Sequence, residues 1–370
     1  TWTLPDDDPT TASGQFLTTD ASGVLSFAAV GGLFNESANG NIVGGSGSGG
    51  SLVAGSPALG GANNFIGGKN SAPLLSTGDN NIILGNESGA AMTTDYDNLV
   101  VGYNSWNNNS GSYKNIIVGN NIDIAAAATW DKESIAIGDN IGGGGHAAGL
   151  LWSTLVGNNI ASEPAGAGII IRSVIMGHNA AQWLESSSGS VMIGNEAGQG
   201  ASTTNRGTIQ NSVIIGYEAA EDHYTTQHNV AIGNVAMRGG GGTSTIGDRN
   251  VAVGTGTIKD LESGEGNVGI GYEALNDIDV GNYNVGIGYW AGETINSGSS
   301  NICIGNRAGP NFGAAQAFDN RLYIDITRRE DPLIGGDFTA GVRRIDINGT
   351  LAADTIQYNS EVDAGAASPS

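Results

Sequence analysis

Asn267-Val-Gly-Ile-Gly-Tyr-Glu-Ala274 and, 17 residues further on, Asn284-Val-Gly-Ile-Gly-Tyr-Trp-Ala291 are two copies of one unit. Its frame is Asn or Ser, three small or apolar residues, then Gly. The same frame begins at Asn81, Asn98, Asn115, Ser134, Ser153, Ser173, Ser190, Ser212, Asn229, Asn250 and Asn301, and degenerate copies precede it around Gly44, Gly55 and Gly67. From Gly85 the Gly-to-Gly steps are 17, 17, 19, 19, 20, 17, 22, 17, 21, 17, 17 and 17. Self-similarity at such a period marks a solenoid, and departures that are always longer mark loops inserted into a regular coil. The twelve steps, at about 4.8 Å per stacked strand, give a rod of roughly 58 Å.

Counting from the Asn or Ser, positions two to four form a short strand rich in β-branched residues, and the Gly at position five permits a sharp turn. Later copies add Asn or Tyr, any residue, then Ala (Tyr217-Glu-Ala219, Asn234-Val-Ala236, Asn306-Arg-Ala308). This Ala is small enough to point into a narrow interior. Strand alternation puts positions two and four on one face and position three on the other. Position three is also apolar or tiny, as in Ile83, Met192, Ala231, Ala252, Gly269, Gly286 and Cys303. Both faces therefore read as buried. One lines the coil, and the other packs on copies of the same chain about an axis. We assign the second role to position three, so Ala231, Ala252, Gly269, Gly286 and Cys303 are the expected interface of a homo-oligomer. The alternative is a wide single-chain solenoid with two packed sheets.

Composition agrees with thin, repeated cores. Glycine is 62 of 370 residues, more than twice the roughly 7 % of average usage. Charged residues are only 14 % and aromatics 6 %. With 36 acidic against 14 basic residues the formal net charge is −22, which disfavours nucleic acid or anionic membrane as partner. A single cysteine excludes an intrachain disulfide and a Cys-based metal site. No apolar run reaches membrane-spanning length, and no signal peptide is visible.

The ends differ from the repeat. Residues 1–35 read as an attachment segment with a hairpin, Gln15–Asp20 and Val24–Phe27 around Asp-Ala-Ser-Gly. Asp6-Asp7-Asp8 reads as a solvated loop. Residues 36–317 are the repeat domain. Residues 318–358 read as a compact β cap with strands at Arg321–Asp325, Pro332–Gly335 and Arg343–Ile347, the last followed by the Asn348-Gly349 turn signal. Residues 359–370 read as a tail.

The unit Asn-Val-Ala-Ile-Gly-Asn/Tyr-x-Ala resembles the repeats of bacteriophage tail fibres and of trimeric autotransporter adhesin heads. That resemblance implies a left-handed parallel β-roll assembled as a trimer. The opening Ser13–Asp20 and Leu25–Phe27 are similar to N-terminal segments of phage fibres. Asn320–Asp325, Pro332–Phe338 and Ile345–Thr350 resemble the stretch that precedes an endosialidase-type intramolecular chaperone, which drives trimerisation and cleaves itself off at a serine. On that resemblance Ser370 reads either as such a cleavage terminus or as an end set otherwise. This C-terminal stretch favours the phage fibre. No heptad stalk or membrane anchor of an adhesin is in the sequence. The expected fold is thus an all-β parallel solenoid, homotrimeric, with an N-terminal hairpin and a C-terminal cap.

Motifs for chemistry are weak. Gly269-Ile-Gly-Tyr-Glu-Ala274 and Gly286-Ile-Gly-Tyr-Trp-Ala291 mimic a dinucleotide fingerprint, but each leads into another strand where that fingerprint needs a helix. His146, His178, His223 and His228 lack metal spacing. No pair among the loop carboxylates (Asp95, Asp97, Asp131, Glu133, Glu185, Asp222) is singled out for glycan cleavage, and no Thr-x-Thr ladder marks an ice-binding face. We expect no cofactor, no metal and no catalysis. Trp106, Tyr113, Trp130, Trp183 and Tyr224 lie outside the strand frames beside Asn, Ser and Asp, and are the candidate contacts for a glycan; the alternative is that they cap corners of the coil. The expected role is a virion tail fibre that binds a host-surface glycan or protein and joins other tail proteins through its N-terminal segment. A bacterial surface adhesin head, a polysaccharide-depolymerising tailspike and, more weakly, an ice-binding solenoid are the alternatives.

Overall fold

The computed structural model describes residues 15–19, 25–29, 35–36, 39–49, 61–106, 111–123, 132–142, 150–161, 170–200, 207–222, 225–239, 247–310, 318–327 and 332–349. These residues form a β-solenoid of about 12 turns with no helix. One continuous sheet runs the length of the coil. Its parallel strands include Ile82–Leu84, Leu99–Val101, Ile116–Val118, Val251–Val253, Val268–Ile270, Val285–Ile287 and Ile302–Ile304. Pairing joins the same position of successive units, as in Val268↔Val285, Gly269↔Gly286 and Ile270↔Ile287. A second parallel sheet, Leu150–Leu151, Ile170–Ile171, Leu184–Ser188, Gly207–Gln210 and Thr225–Gln227, forms another wall where the units are longest.

Three residue types make each coil. At position five, glycine takes φ near +140° (Gly85 +140°, Gly194 +145°, Gly254 +138°). A Cβ on Gly85 would run into the backbone carbonyl of Gly102 one coil above, so both the dihedral and the stacking exclude a side chain. The first two corner glycines are Gly45 and Gly68, each one residue after the position read from the degenerate sequence; Gly55 lies outside the described residues. At position seven the chain enters the left-handed region without glycine. Asn104, Asn121, Asn140, Asn159 and Asn179 do so at φ between 51° and 55°, a conformation Asn tolerates better than most.

At position one, the Asn and Ser side chains are buried in a ladder. Asn81, Asn98, Asn115, Asn250, Asn267, Asn284 and Asn301 are all nearly inaccessible. Each accepts the next rung's backbone N–H at its Oδ1: Asn267 N–H to Asn250 at 2.8 Å, Asn301 N–H to Asn284 at 3.0 Å. The amide nitrogens donate to backbone carbonyls, as Asn267 does to Gly281 at 2.8 Å and Asn81 to Asp95 at 2.7 Å. Ser134 to Ser212 keep the ladder with Oγ as acceptor, for example Ser190 N–H to Ser173 at 3.4 Å. Buried amides of this kind must be satisfied, and the repeat satisfies them coil by coil.

The core lies inside the single chain. Position three points inward: Ile83, Val100, Ile175, Met192, Ala231, Ala252 and Cys303 are completely buried. So is position eight, where the small residue was expected to face a narrow interior (Ala219, Ala236, Ala274, Ala291 and Ala308). Where position three is small, position nine of the preceding coil is large, in the pairs Ala252/Met237, Gly269/Ile258 and Gly286/Leu275. The contact is steric. A Cβ on Gly269 would lie 2.9 Å from Ile258 Cγ1, and one on Gly286 2.7 Å from Leu275 Cγ. At these places a large side chain fills the space beside the small one, as close packing requires.

Where they are described, the ends carry strands at the expected places, displaced by one or two residues at Leu25–Ala29 and Ile334–Asp337. Gln15–Thr19 and Leu25–Ala29 pair antiparallel as a hairpin; Asp6, Asp7 and Asp8 and residues 359–370 lie outside the described residues. Arg321–Ile324 adds to the last coil in parallel, then Ile334–Asp337 and Arg344–Ile347 follow antiparallel. Asp325 ties this cap together by accepting backbone N–H groups of Ile326 (2.6 Å) and Leu333 (3.0 Å). Tyr323 continues the position-three column beyond Cys303.

Candidate functional site

The inward direction of position three fixes the outward direction of positions two and four, and this reverses the expected interface. Ala231, Ala252, Gly269, Gly286 and Cys303 lie inside one chain. Their side chains are closed off by that chain's own position-eight and position-nine residues, so they do not reach a second copy. The cause is the filled corner opposite, where residues such as Ile258 and Leu275 supply the packing that the sequence reading assigned to another chain.

Positions two and four instead form two aliphatic columns on the outer face. Ile270, Ile287 and Ile304 are 40 %, 38 % and 37 % exposed. From Val174 to Val285 position two is valine in seven successive coils (Val174, Val191, Val213, Val230, Val251, Val268 and Val285), each part-exposed. The columns pass onto the cap, one of them through Gly336. Ile304, Ile324, Ile334 and Ile347 are successive cross-strand partners, and so are Ile302, Leu322, Gly336 and Ile345. At the glycine the Phe338 ring covers the column: a Cβ on Gly336 would meet its Cζ at 3.0 Å. The largest apolar patch of a typical monomer covers about 300–600 Å2; here an apolar strip runs from Ile82 and Leu84 to the cap, with Thr154 as its polar exception among the coils.

Beside this strip stand ladders of exposed side chains. Tyr96 and Tyr113 stack at 4.9 Å with planes 6° apart, and Tyr272 and Tyr289 at 5.2 Å and 13°. These spacings are those of the coil, so each ring meets the ring above or below with its face. The ladder ends are covered by cations: Lys132 lies 5.5 Å from the Tyr113 centroid, and Arg307 lies 4.1 Å from that of Trp290. Trp290 in turn donates its Nε1–H to Glu273 at 2.6 Å. The stacked faces between these rings are used by one another, which leaves their edges for a ligand. An open cavity of about 560 Å3 lies beside Tyr289, Asn306, Arg307, Ile326 and Thr327.

The expected glycan contacts divide accordingly. Trp106 is a core residue, 1 % exposed, with no partner for its Nε1–H among the described residues; its ring is not available to a ligand. Tyr113 is a rung of the first tyrosine stack. Trp183 is half-buried, and its indole N–H is enclosed. Trp130 and Tyr224 lie outside the described residues. The sequence reading passed over Tyr272, Tyr289, Trp290 and Arg307, whose signal was their recurrence at positions six and seven of consecutive units.

A second group is electrostatic. Arg238 and Glu218 form an ion pair at 2.8 Å. Beside them, the Glu221 carboxyl is pushed up to about 7, by its burial first and then by the Asp222 and Glu218 carboxylates. Hydrogen bonding to Tyr217 is the main cause that holds Glu218 below its ordinary value. Among the described residues no three His, Cys, Asp or Glu side chains converge as a cation site, and no helix is long and apolar enough to cross a membrane. Compared with protein-family models, curated proteins and solved structures, the chain finds no match.

Proposed function

We propose that the chain is a structural and adhesive rod: three copies pack through the outer aliphatic columns into a phage tail fibre that attaches to a host-surface glycan or protein. The observation that carries this reading is the long apolar strip formed by positions two and four. A periodic, exposed aliphatic face on an otherwise acidic chain is costly in water and is relieved by self-burial. Three copies about an axis leave the ladders and the inserted corners facing outward. Weak binding at each of three such edges sums by avidity. The N-terminal hairpin then serves attachment to other tail proteins.

Light scattering tests it. The reading expects three times the 37.3 kDa chain mass; a monomer at micromolar concentration removes it. Adsorption of the purified protein to host cells, competed by their extracted surface polysaccharide, tests the adhesive part.

A second reading, cleavage of surface polysaccharide, draws on Glu221. A carboxyl near neutrality beside other carboxylates has the proton affinity a general acid needs. Reducing ends released by the native protein and not by a Glu221→Gln variant replace the non-catalytic reading with this one.

A further inference from the structure

The outer columns leave one thing undetermined. Over the seven coils from Val174 to Val285 position two is always valine, and position four reads Met176, Ile193, Ile215, Ile232, Val253, Ile270, Ile287. Two such faces that slide past each other by one coil, about 4.8 Å, exchange each aliphatic contact for a nearly equal one. Uniform strands specify register weakly. Something outside the uniform stretch must decide it.

The cap is where the columns stop being uniform. The sheet turns antiparallel at Ile334–Asp337. One column is interrupted at Gly336, and Phe338 fills the gap. The last strand then presents the most exposed members of both columns, Ile345 at 60 % and Ile347 at 48 %. Charged pairs bound the same surface: Arg321 with Asp337, and Arg344 with Asp346 at 2.8 Å. A slip of one rung would set Ile345 and Ile347 of one copy against the Ile334 and Gly336 rung of its neighbour. The neighbour's own Ile345 and Ile347 would then stay in water, and Phe338 would lose its counterpart. In register, each cap meets only the caps of other copies.

We propose that the C-terminal hairpin, through Ile345, Ile347 and Phe338, fixes the axial register in which copies of this chain pack. The proposal rests on self-association through the outer face, and its occupant is a second copy. Continuity of the columns from Ile302 and Ile304 onto the cap makes the two parts one surface.

The test co-expresses two full-length chains, one Ile287→Cys and one Ile304→Cys, and oxidises them mildly. A disulfide needs Cα atoms within about 7 Å, so it reports which rungs lie level. The native Cys303 stays out, since it is fully buried and its thiol is pushed up to about 12. With the native cap, like-numbered disulfides are expected at least tenfold over 287–304 disulfides. With Ile345→Ala/Ile347→Ala, the trimer mass is retained and 287–304 disulfides rise to a comparable share. Circular dichroism confirms that the coil is intact, as expected for two exposed positions. Like-numbered disulfides alone in both proteins overturn the inference and leave self-association standing. So do mixed disulfides with the native cap, or a monomeric cap variant, which would make the cap the source of adhesion. A native protein that is itself monomeric removes the self-association reading, and the inference with it.

Discussion

The side-chain oxygen of Asn267 accepts two hydrogen bonds from Asn284, its counterpart one coil on: the backbone N–H at 2.9 Å and the amide N–H at 3.1 Å. The amide nitrogen of Asn267 meanwhile donates to Gly281 and to Asn250. One buried residue thus links three coils. Chain stability resides in repeated local links of this kind, with nearest-neighbour coupling between coils.

Asn267→Ala removes these bonds and leaves the Asn284 N–H and the Gly281 carbonyl unsatisfied. Each buried orphan costs about 1–3 kcal/mol, so a loss of about 2–4 kcal/mol is expected. Urea denaturation of the variant checks it. A loss below about 1 kcal/mol would show that water replaces the ladder.

Gly286→Ala should cost about 1–3 kcal/mol by overpacking, because its Cβ would press on Leu275 Cγ and on the Ala291 carbonyl at 2.8 Å. Leu275→Val in the same chain should return at least half of that. Thermal melts of the two single variants and the double decide; additive losses refute the steric coupling.

Ile287→Asp with Ile304→Asp should abolish the proposed trimer while each chain keeps its coil, since both side chains face outward. Light scattering should fall to 37.3 kDa with unchanged circular dichroism. Retention of the trimer would move the interface elsewhere.

Much of this was legible in the residues. The frame of Asn or Ser, three apolar residues and Gly located the strands and corners, and the Arg321–Ile347 cap strands followed from composition and turn signals. The faces were not legible. Alternation says which side chains share a face, and it does not say which face is inside when both are apolar. The deciding sign was available in Ala252/Met237, Gly269/Ile258 and Gly286/Leu275. A large residue that stands where its neighbour on the next coil shrinks marks one shared interior. The aromatic sites were obscured for a different reason: Trp106 sits between polar neighbours in sequence, yet its place in the coil is an inward corner.

Stability should fall as pH rises through neutrality. The Glu221 carboxyl lies at about 7 in the folded chain against an ordinary 4.5. The folded state therefore holds its proton more tightly than the unfolded state does. The contribution is full below about pH 4.5 and is lost as pH rises through about 7. Glu221→Gln should flatten the Tm profile over that window; parallel profiles would falsify the assignment.

Cys303 should resist alkylation in the native protein at pH 8, because burial pushes its thiol up to about 12. It should react within minutes in urea. Rapid native labelling would mean that the last coil opens, and Ile302–Ile304 with its cap partner would be the place to look by hydrogen exchange.

The glycine corners have a consequence for the length of the molecule. Gly85 stacks on Gly102, Gly102 on Gly119, and Gly271 on Gly288 in one repeated arrangement. An added or deleted whole unit reproduces the same junction on both sides. The rod is therefore a molecular ruler, adjustable by duplication or loss of a gene segment in increments of about 4.8 Å, with the same fold at every setting.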